Sequence, residues 1–240
     1  MIIEANSMHF SDLNQKVRQA SEQKIIINNC IGQRYIASGL EQKQIELHGT
    51  PGNALGAYLN GGEITVFGNA QEATGDTMND GKIVIHGSSG DATGYAMRGG
   101  KIFVRGNTGY RAGIHMKEYH EKIPVIVIGG TAGSFLGEYQ AGGRIIVLGL
   151  GADGGAPVKN FCGTGMHGGK MFLRGNTPPK NLPKQVCAVK ATKADLKEIE
   201  ADIAEFCALF GEDFETIISS DFFVLTPDSK NPYQQMYTKN

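Results

Sequence analysis

Paired cysteines, an excess of charge and long apolar runs are all missing from this 240-residue chain. Its four cysteines, Cys30, Cys162, Cys187 and Cys207, are scattered without CxxC spacing, so neither a disulfide framework nor a zinc or iron–sulfur site is expected. With 23 basic against 24 acidic residues the formal net charge is −1. That balance offers nothing to attract nucleic acid or an anionic membrane. The first 25 residues hold no apolar stretch of signal-peptide length, and no 18-residue apolar run occurs anywhere; the expectation is a soluble, cytoplasmic protein. GxSxG, HExxH and Walker A motifs are absent. Eight prolines without a glycine at every third position exclude a collagen-like chain.

Glycine, by contrast, is abundant. The chain has 34, and 31 of them lie between Gly49 and Gly175. The same segment carries short apolar runs that recur: KIIINN, QIELHG, EITVFG, KIVIHG, KIFVRG, PVIVIG, RIIVLG and KMFLRG. Their first inward residues are Ile25, Ile45, Ile64, Ile83, Ile102, Val125, Ile145 and Met171, with successive steps of 20, 19, 19, 19, 23, 20 and 26. A second column, five residues before the next run's first apolar residue, holds Leu40, Leu59, Met78, Met97, Gln140 and Met166, with Met116 joining it after an insertion. Three residues earlier stands a small one: Ala37, Gly56, Gly75, Gly94, Gly113, Gly137 and Gly163.

Hairpins would return every eight to twelve residues; a repeat of about 19 with short strands predicts an all-β, right-handed, single-stranded parallel β-helix of about seven to eight coils. The glycine column then marks corners that need φ > 0 and close backbone approach. The expected organisation is an N-terminal cap over 1–23, the glycine-repeat β-helix over 24–176, and a helical extension over 177–240 packing on it. Over 1–23, Ser11 is placed to cap a short helix with Leu13, Val17 and Ala20 on one face, as an N-terminal lid. In the extension, Thr192 and Asp195 form a capping-box pattern ahead of Leu196, Ile199, Ile203, Phe206 and Phe210, and Gly211 is placed to end the helix. A short helix around Phe214–Ile218 and an extended tail through Phe222, Phe223 and Pro232 follow.

The outward strand positions Phe103, Ile126, Ile146 and Phe172 are apolar, so the later strands must be covered on both sides. The extension helix is the first candidate cover and a partner protein the second. Gly149–Gly154 spells GxGxxG, but Pro157 and further glycines follow in place of a helix, so a widened corner is expected rather than a nucleotide site. His48 and His86 fall two repeats apart, too far for one metal. His115, Glu118 and His120 in the insertion are the remaining weak metal candidates, with a solvated loop as the alternative. The residues after the glycine column, Ala57, Asp76, Tyr95, Ile114, Glu138 and Thr164, supply no stacked carboxylates. No catalytic residue and no cofactor-binding residue is expected in this chain.

NNCIGQRYIASGL (28–40), GTPGNALGAYLNGGEITVFGNAQEATGDTMNDGKIVIHG (49–87) and GGKIFVRGNTGYRAGIHM (99–116) resemble the glycine-repeat (GXGXG) C-terminal domain of the glutamate synthase large subunit. Formylmethanofuran dehydrogenase has a β-helical subunit that shares the repeat. The resemblance implies a right-handed β-helix with a structural or assembly role in an oxidoreductase complex of glutamate biosynthesis and nitrogen metabolism. Glutamine amidotransferase and flavin/iron–sulfur partners would then supply the chemistry, with FMN and iron–sulfur clusters held by those partners and no activity in this chain alone. Two alternatives stand beside it: a scaffold of the formylmethanofuran dehydrogenase type, and an independent small-molecule or metal binder using the insertions 117–123 and 150–162. Homo-oligomerisation is left open.

Overall fold

A computed structural model describes residues 1–152 and 154–228. Strand β1 (Ile2–Glu4) and helix α1 (Phe10–Gln19) lead into a run of strands: β2 (Lys24–Ile31), β3 (Gln44–Thr50), β4 (Asn60–Phe67), β5 (Asp80–Ile85), β6 (Lys101–Val104), β7 (Val125–Ile128), β8 (Ala141–Val147) and β9 (Gly168–Arg174). The chain closes with β10 (Val186–Lys190), α2 (Lys193–Phe210), α3 (Phe214–Ile218) and β11 (Phe222–Pro227).

These strands correct the expected fold class. They form one mixed sheet of 11 strands in the order β1-β2-β3-β4-β5-β6-β7-β8-β9-β11-β10, parallel through β9 and antiparallel for β11 and β10, in place of the seven to eight coils of a single-stranded β-helix. The period of about 19 reports how far apart equivalent residues stack. It does not report what the rest of each period does. Between strands the chain runs through tight turns that are bonded to the turns of neighbouring repeats and carry isolated bridges, such as Ala70↔Ser89↔Thr108↔Ala132↔Val158.

Register follows side-chain alternation, since a one-residue slip would exchange the two faces of a strand. On the inner face Ile25, Ile45, Ile64, Ile83 and Ile102 are aligned across neighbouring strands, and so are Ile27, Leu47, Val66, Ile85 and Val104. At β7 the expected column shifts by one residue. Ile102 pairs with Ile126 rather than Val125, and Val104 pairs with Ile128. The insertion ending at Pro124 resets the phase, so Ile126 joins the inner core while Val125 and Val127 face outward. Of the four predicted outward apolar residues, Phe103, Ile146 and Phe172 lie in the outer cluster and Ile126 does not.

Helix α1 places Leu13 and Val17 against the inner core. Its N-cap is His9, whose ring nitrogen accepts from the Ser11 backbone, so the expected Ser11 cap moves two residues upstream. Helix α2 carries the Thr192/Asp195 capping box and ends on Gly211 at φ 72°. Its Ile199, Ile203, Phe206 and Phe210 cover Val84, Phe103, Val127, Ile146 and Phe172 on the outer sheet face. Pro232 lies outside the described residues.

Candidate functional site

The most unusual backbone in the molecule lies in the turns that link one strand to the next. In each of them alternate residues take left-handed conformations: Ala54, Gly56 and Tyr58; Ala73, Gly75 and Thr77; Ala92, Gly94 and Ala96; Arg111, Gly113 and His115; Phe135, Gly137 and Tyr139; Phe161, Gly163 and Gly165. The left-handed region costs an ordinary L residue roughly 1–2 kcal/mol, so something must hold alanine, tyrosine and phenylalanine there. The holding groups are backbone bonds between stacked turns. Ala54 N–H donates to Glu72 O at 2.9 Å, Gly56 N–H to Ile36 O at 2.8 Å, and Tyr58 N–H to Asp76 O at 2.7 Å. The same three-bond pattern recurs at Ala73, Gly75 and Thr77 and again at Arg111, Gly113 and His115.

The central glycine of each turn has a second reason to be glycine. A Cβ on Gly56, Gly75, Gly94, Gly113 or Gly137 would lie 2.7, 2.5, 2.5, 2.4 or 2.3 Å from the tip of Ile83, Ile102, Ile126, Ile145 or Met171 respectively. At Gly163 the nearest atom is a Val186 methyl at 3.1 Å. The first turn instead has Ala37 at φ 60°.

Because the middle residue points inward, its left-handed neighbours are presented outward and stack from turn to turn. His115 and Tyr139 lie parallel with ring centroids 5.1 Å apart, and Tyr95 meets His115 edge-on at 5.9 Å. Alongside, Phe135 stacks on Phe161 at 4.9 Å, and the Arg111 guanidinium sits 4.7 Å from the Phe135 ring. Arg111 also pairs with Glu138 at 2.9 Å. Tyr58 and Phe161 are 55% and 53% exposed. A face rich in exposed aromatic rings has the composition of a protein–protein contact surface.

The predicted metal candidates are not brought together. His115 belongs to the aromatic stack, the Glu118 carboxylate accepts from Gly143 N–H at 2.9 Å, and His120 packs edge-on against Tyr119. Among the described residues no group of three or more His, Cys, Asp or Glu is arranged to hold a metal ion. His48 and His86 are separated by Phe67, which stacks between them at 4.9 and 4.6 Å. Burial pushes the thiol pKa of Cys30 up to about 11 and that of Cys162 up to about 12, so neither is a ready nucleophile. In the GxGxxG segment Gly149, Gly151 and Gly154 all have positive φ, and turns rather than a helix follow; Asp153 lies outside the described residues.

Two polar constellations escaped sequence reasoning. At the strand exits Asn69, Ser88 and Asn107 each accept from the backbone N–H of the next repeat, at Ser88 (2.8 Å), Asn107 (3.0 Å) and Thr131 (2.7 Å). The recurring G-N and G-S pairs were their only signal. The second constellation clamps α2. Lys170 pairs with Glu198, Arg144 and Lys101 with Asp202, and Lys101 and Lys82 with Glu205, all within 2.9 Å. An acidic residue every three or four positions on α2 was legible, but its basic partners come from four separate strands.

A family model described as the GXGXG motif matches residues 10–228. The chain belongs to the GXGXG motif family. A relative of this GXGXG chain is the uncharacterized protein MJ1350 of Methanocaldococcus jannaschii, 45% identical over 251 residues that take in 99% of this chain and 96% of that one. Among solved structures, the GXGXG chain shares its fold with a chain of the formyltransferase/hydrolase complex FhcABCD from Methylorubrum extorquens, determined with methylofuran bound. The TM-score is 0.66 at 19% identity, over 85% of this chain and 73% of that one. No described helix is long and apolar enough to cross a membrane.

Proposed function

We propose that this GXGXG chain is a non-catalytic assembly component of a multi-subunit enzyme, and that its outward turn face is where catalytic partners dock. The observation that carries this is the aromatic stack Tyr95–His115–Tyr139 with its neighbour Phe135–Phe161. Tyr95, His115, Tyr139 and Phe161 stand exposed and Phe135 half-buried, and all but Tyr95 sit on left-handed backbone held by bonds to adjacent turns. A rigid, desolvation-ready aromatic surface binds with little side-chain ordering cost.

The reading we put first is a glutamate synthase-like complex, in which partner subunits transfer glutamine-derived ammonia to 2-oxoglutarate using FMN and iron–sulfur centres. It rests on the motif order of residues 28–40 and 49–116. A second reading is a formyl-transfer complex, favoured by the fold shared with a chain of FhcABCD. Purification of the tagged chain from native lysate separates them. Co-elution of an amidotransferase with a flavoprotein supports the first, and co-elution of formyltransferase/hydrolase or molybdopterin subunits supports the second. Both require that Tyr139→Asp with Phe161→Asp releases the partners from a folded chain. Recovery of the chain alone from native lysate would defeat the assembly role.

A further inference from the structure

Strand β10 is the last in the sheet, and among the described residues nothing pairs with its outer edge. Its pairing with β11 runs Val186↔Pro227, Cys187↔Thr226, Ala188↔Leu225, Val189↔Val224 and Lys190↔Phe223. The flanking bonds Asp228 N–H to Gln185 O (2.7 Å) and Ala191 N–H to Phe222 O (2.8 Å) fix the parity of that ladder. Residues 185, 187, 189 and 191 direct their backbone groups to β11, so those of Val186, Ala188 and Lys190 point to the open edge. Val186 N–H is already donated to Pro183 O at 2.9 Å. What remains open is the Ala188 N–H and C=O, the Lys190 N–H and C=O, and the Val186 C=O.

We infer that β10 pairs antiparallel with β10 of a second copy of this chain about a twofold axis at Ala188, making one continuous sheet across two protomers. The open groups fit this occupant. With Ala188 opposite Ala188, each Ala188 N–H meets the other's C=O. With Val186 opposite Lys190, each Lys190 N–H meets the partner copy's Val186 C=O; the second bond of that pair, from Val186 N–H to Lys190 C=O, is not formed because Pro183 already holds the donor, and the Lys190 C=O at the end of the ladder is left to solvent. The side chains fit as well. Cys187 stands opposite Val189 of the other copy in the non-hydrogen-bonded pair, where side chains approach most closely. Both are exposed in the single chain, Val189 at 55%. The strand carries no proline, bulge or central charge, the usual devices that blunt an edge. An isologous contact of this kind closes at two copies and buries both edges.

The test is register-specific. In the purified full chain, Val189→Cys places a thiol opposite the native Cys187 of the other copy, at the ~4.5 Å Cα separation of a non-hydrogen-bonded pair, within disulfide reach. Oxidation is expected to give a covalent dimer, and Val189→Cys with Cys187→Ser is expected to give none. Ala188→Pro removes only an outward N–H and leaves the β11 ladder intact; it should halve the mass seen by light scattering while circular dichroism stays unchanged. Val189→Pro, which removes an N–H directed at β11, should lower thermal stability instead. A wild-type chain that is monomeric at high micromolar concentration would overturn the inference. So would a dimer indifferent to Ala188→Pro that gives no Val189→Cys cross-link, or a β10 edge protected from hydrogen exchange only when a different protein is bound.

Discussion

Gly113, at φ 68°, lies under the side chain of Ile145, whose Cδ1 sits 2.4 Å from where a Cβ on Gly113 would be. The residue is thus held to glycine twice, by its backbone and by its neighbour. Gly113→Ala should destabilise the chain by roughly 2–5 kcal/mol, combining ~1–2 for the left-handed alanine with ~1–3 for overpacking. Pairing it with Ile145→Val should recover part of the overpacking component and none of the backbone one. Urea unfolding of the two single variants and the double measures that coupling; strict additivity would show that the two residues do not share space.

Asp202 is 2% exposed and bonded to both Lys101 and Arg144. Removing one member of a buried ion pair costs ~3–5 kcal/mol when the remaining charge is fully enclosed. Here both cations reach solvent, so Asp202→Ala should fall at or below the lower end of that range. Its effect should be concentrated in α2, as loss of amide protection over residues 193–210 with the parallel strands still protected. Equal loss over both regions would mean that the helix and the sheet unfold as one unit.

Acid should loosen the same helix. Burial raises the pKa of Glu205, but the bonds from Lys101 and Lys82 outweigh this and leave it below its ordinary 4.5. A depressed carboxylate stabilises the fold above its unfolded value, and that contribution is lost as the pH falls through the folded one. His86, beside Phe210 at the end of α2, is lowered from 6.5 by burial and by Arg105. It has the same sign, because the unfolded chain binds the proton more readily. Stability should therefore decline in two stages, beginning below pH 6.5 and steepening below 4.5. His86→Phe should abolish only the first stage in a thermal-melt series, and a profile that it leaves unchanged would rule out His86 as the titrating group.

Glu118 and His120 should separate by stability rather than by metal content. Glu118→Ala loses an acceptor for the Gly143 N–H and should cost ~0.5–3 kcal/mol, the range from neutral to charged hydrogen bonds. His120 is exposed, so His120→Ala should stay within ~0.5 kcal/mol of the parent. Metal analysis by mass spectrometry should find the same content in both as in the parent; loss of a stoichiometric ion in either would restore the insertion as a metal site.

Much of the packing could be read from the chain because stacking copies a residue type from repeat to repeat. The isoleucine ladder, the Met78/Met97/Met116 column and the glycine column were visible as periods, and the α2 capping box as a local pattern. What periodicity could not convey was the path between strands. Ala54, Tyr58 and Phe135 have no intrinsic preference for left-handed backbone, which is imposed on them by bonds to the turns above and below. The β7 phase was lost for a related reason: Val125 and Ile126 are both apolar, and only the partner strands decide which faces inward. The outer aromatic stack was invisible because its members differ in residue type and not all share one offset: His115 and Tyr139 stand two residues after the turn glycine and Tyr95 one.

The sheet order follows the chain order until its last step, where β11 lies between β9 and β10. During synthesis from the N-terminus, β2 to β9 can each be laid on a finished predecessor. Then the process must pause. β10 emerges first but has no template, since its only neighbour is made some 30 residues later. The edge of β9 therefore stays open until β11 leaves the ribosome, and a chain truncated before Phe222 would be released with that edge unpaired even though α2 had been made. Closure of the sheet is thus a check that synthesis has passed β11.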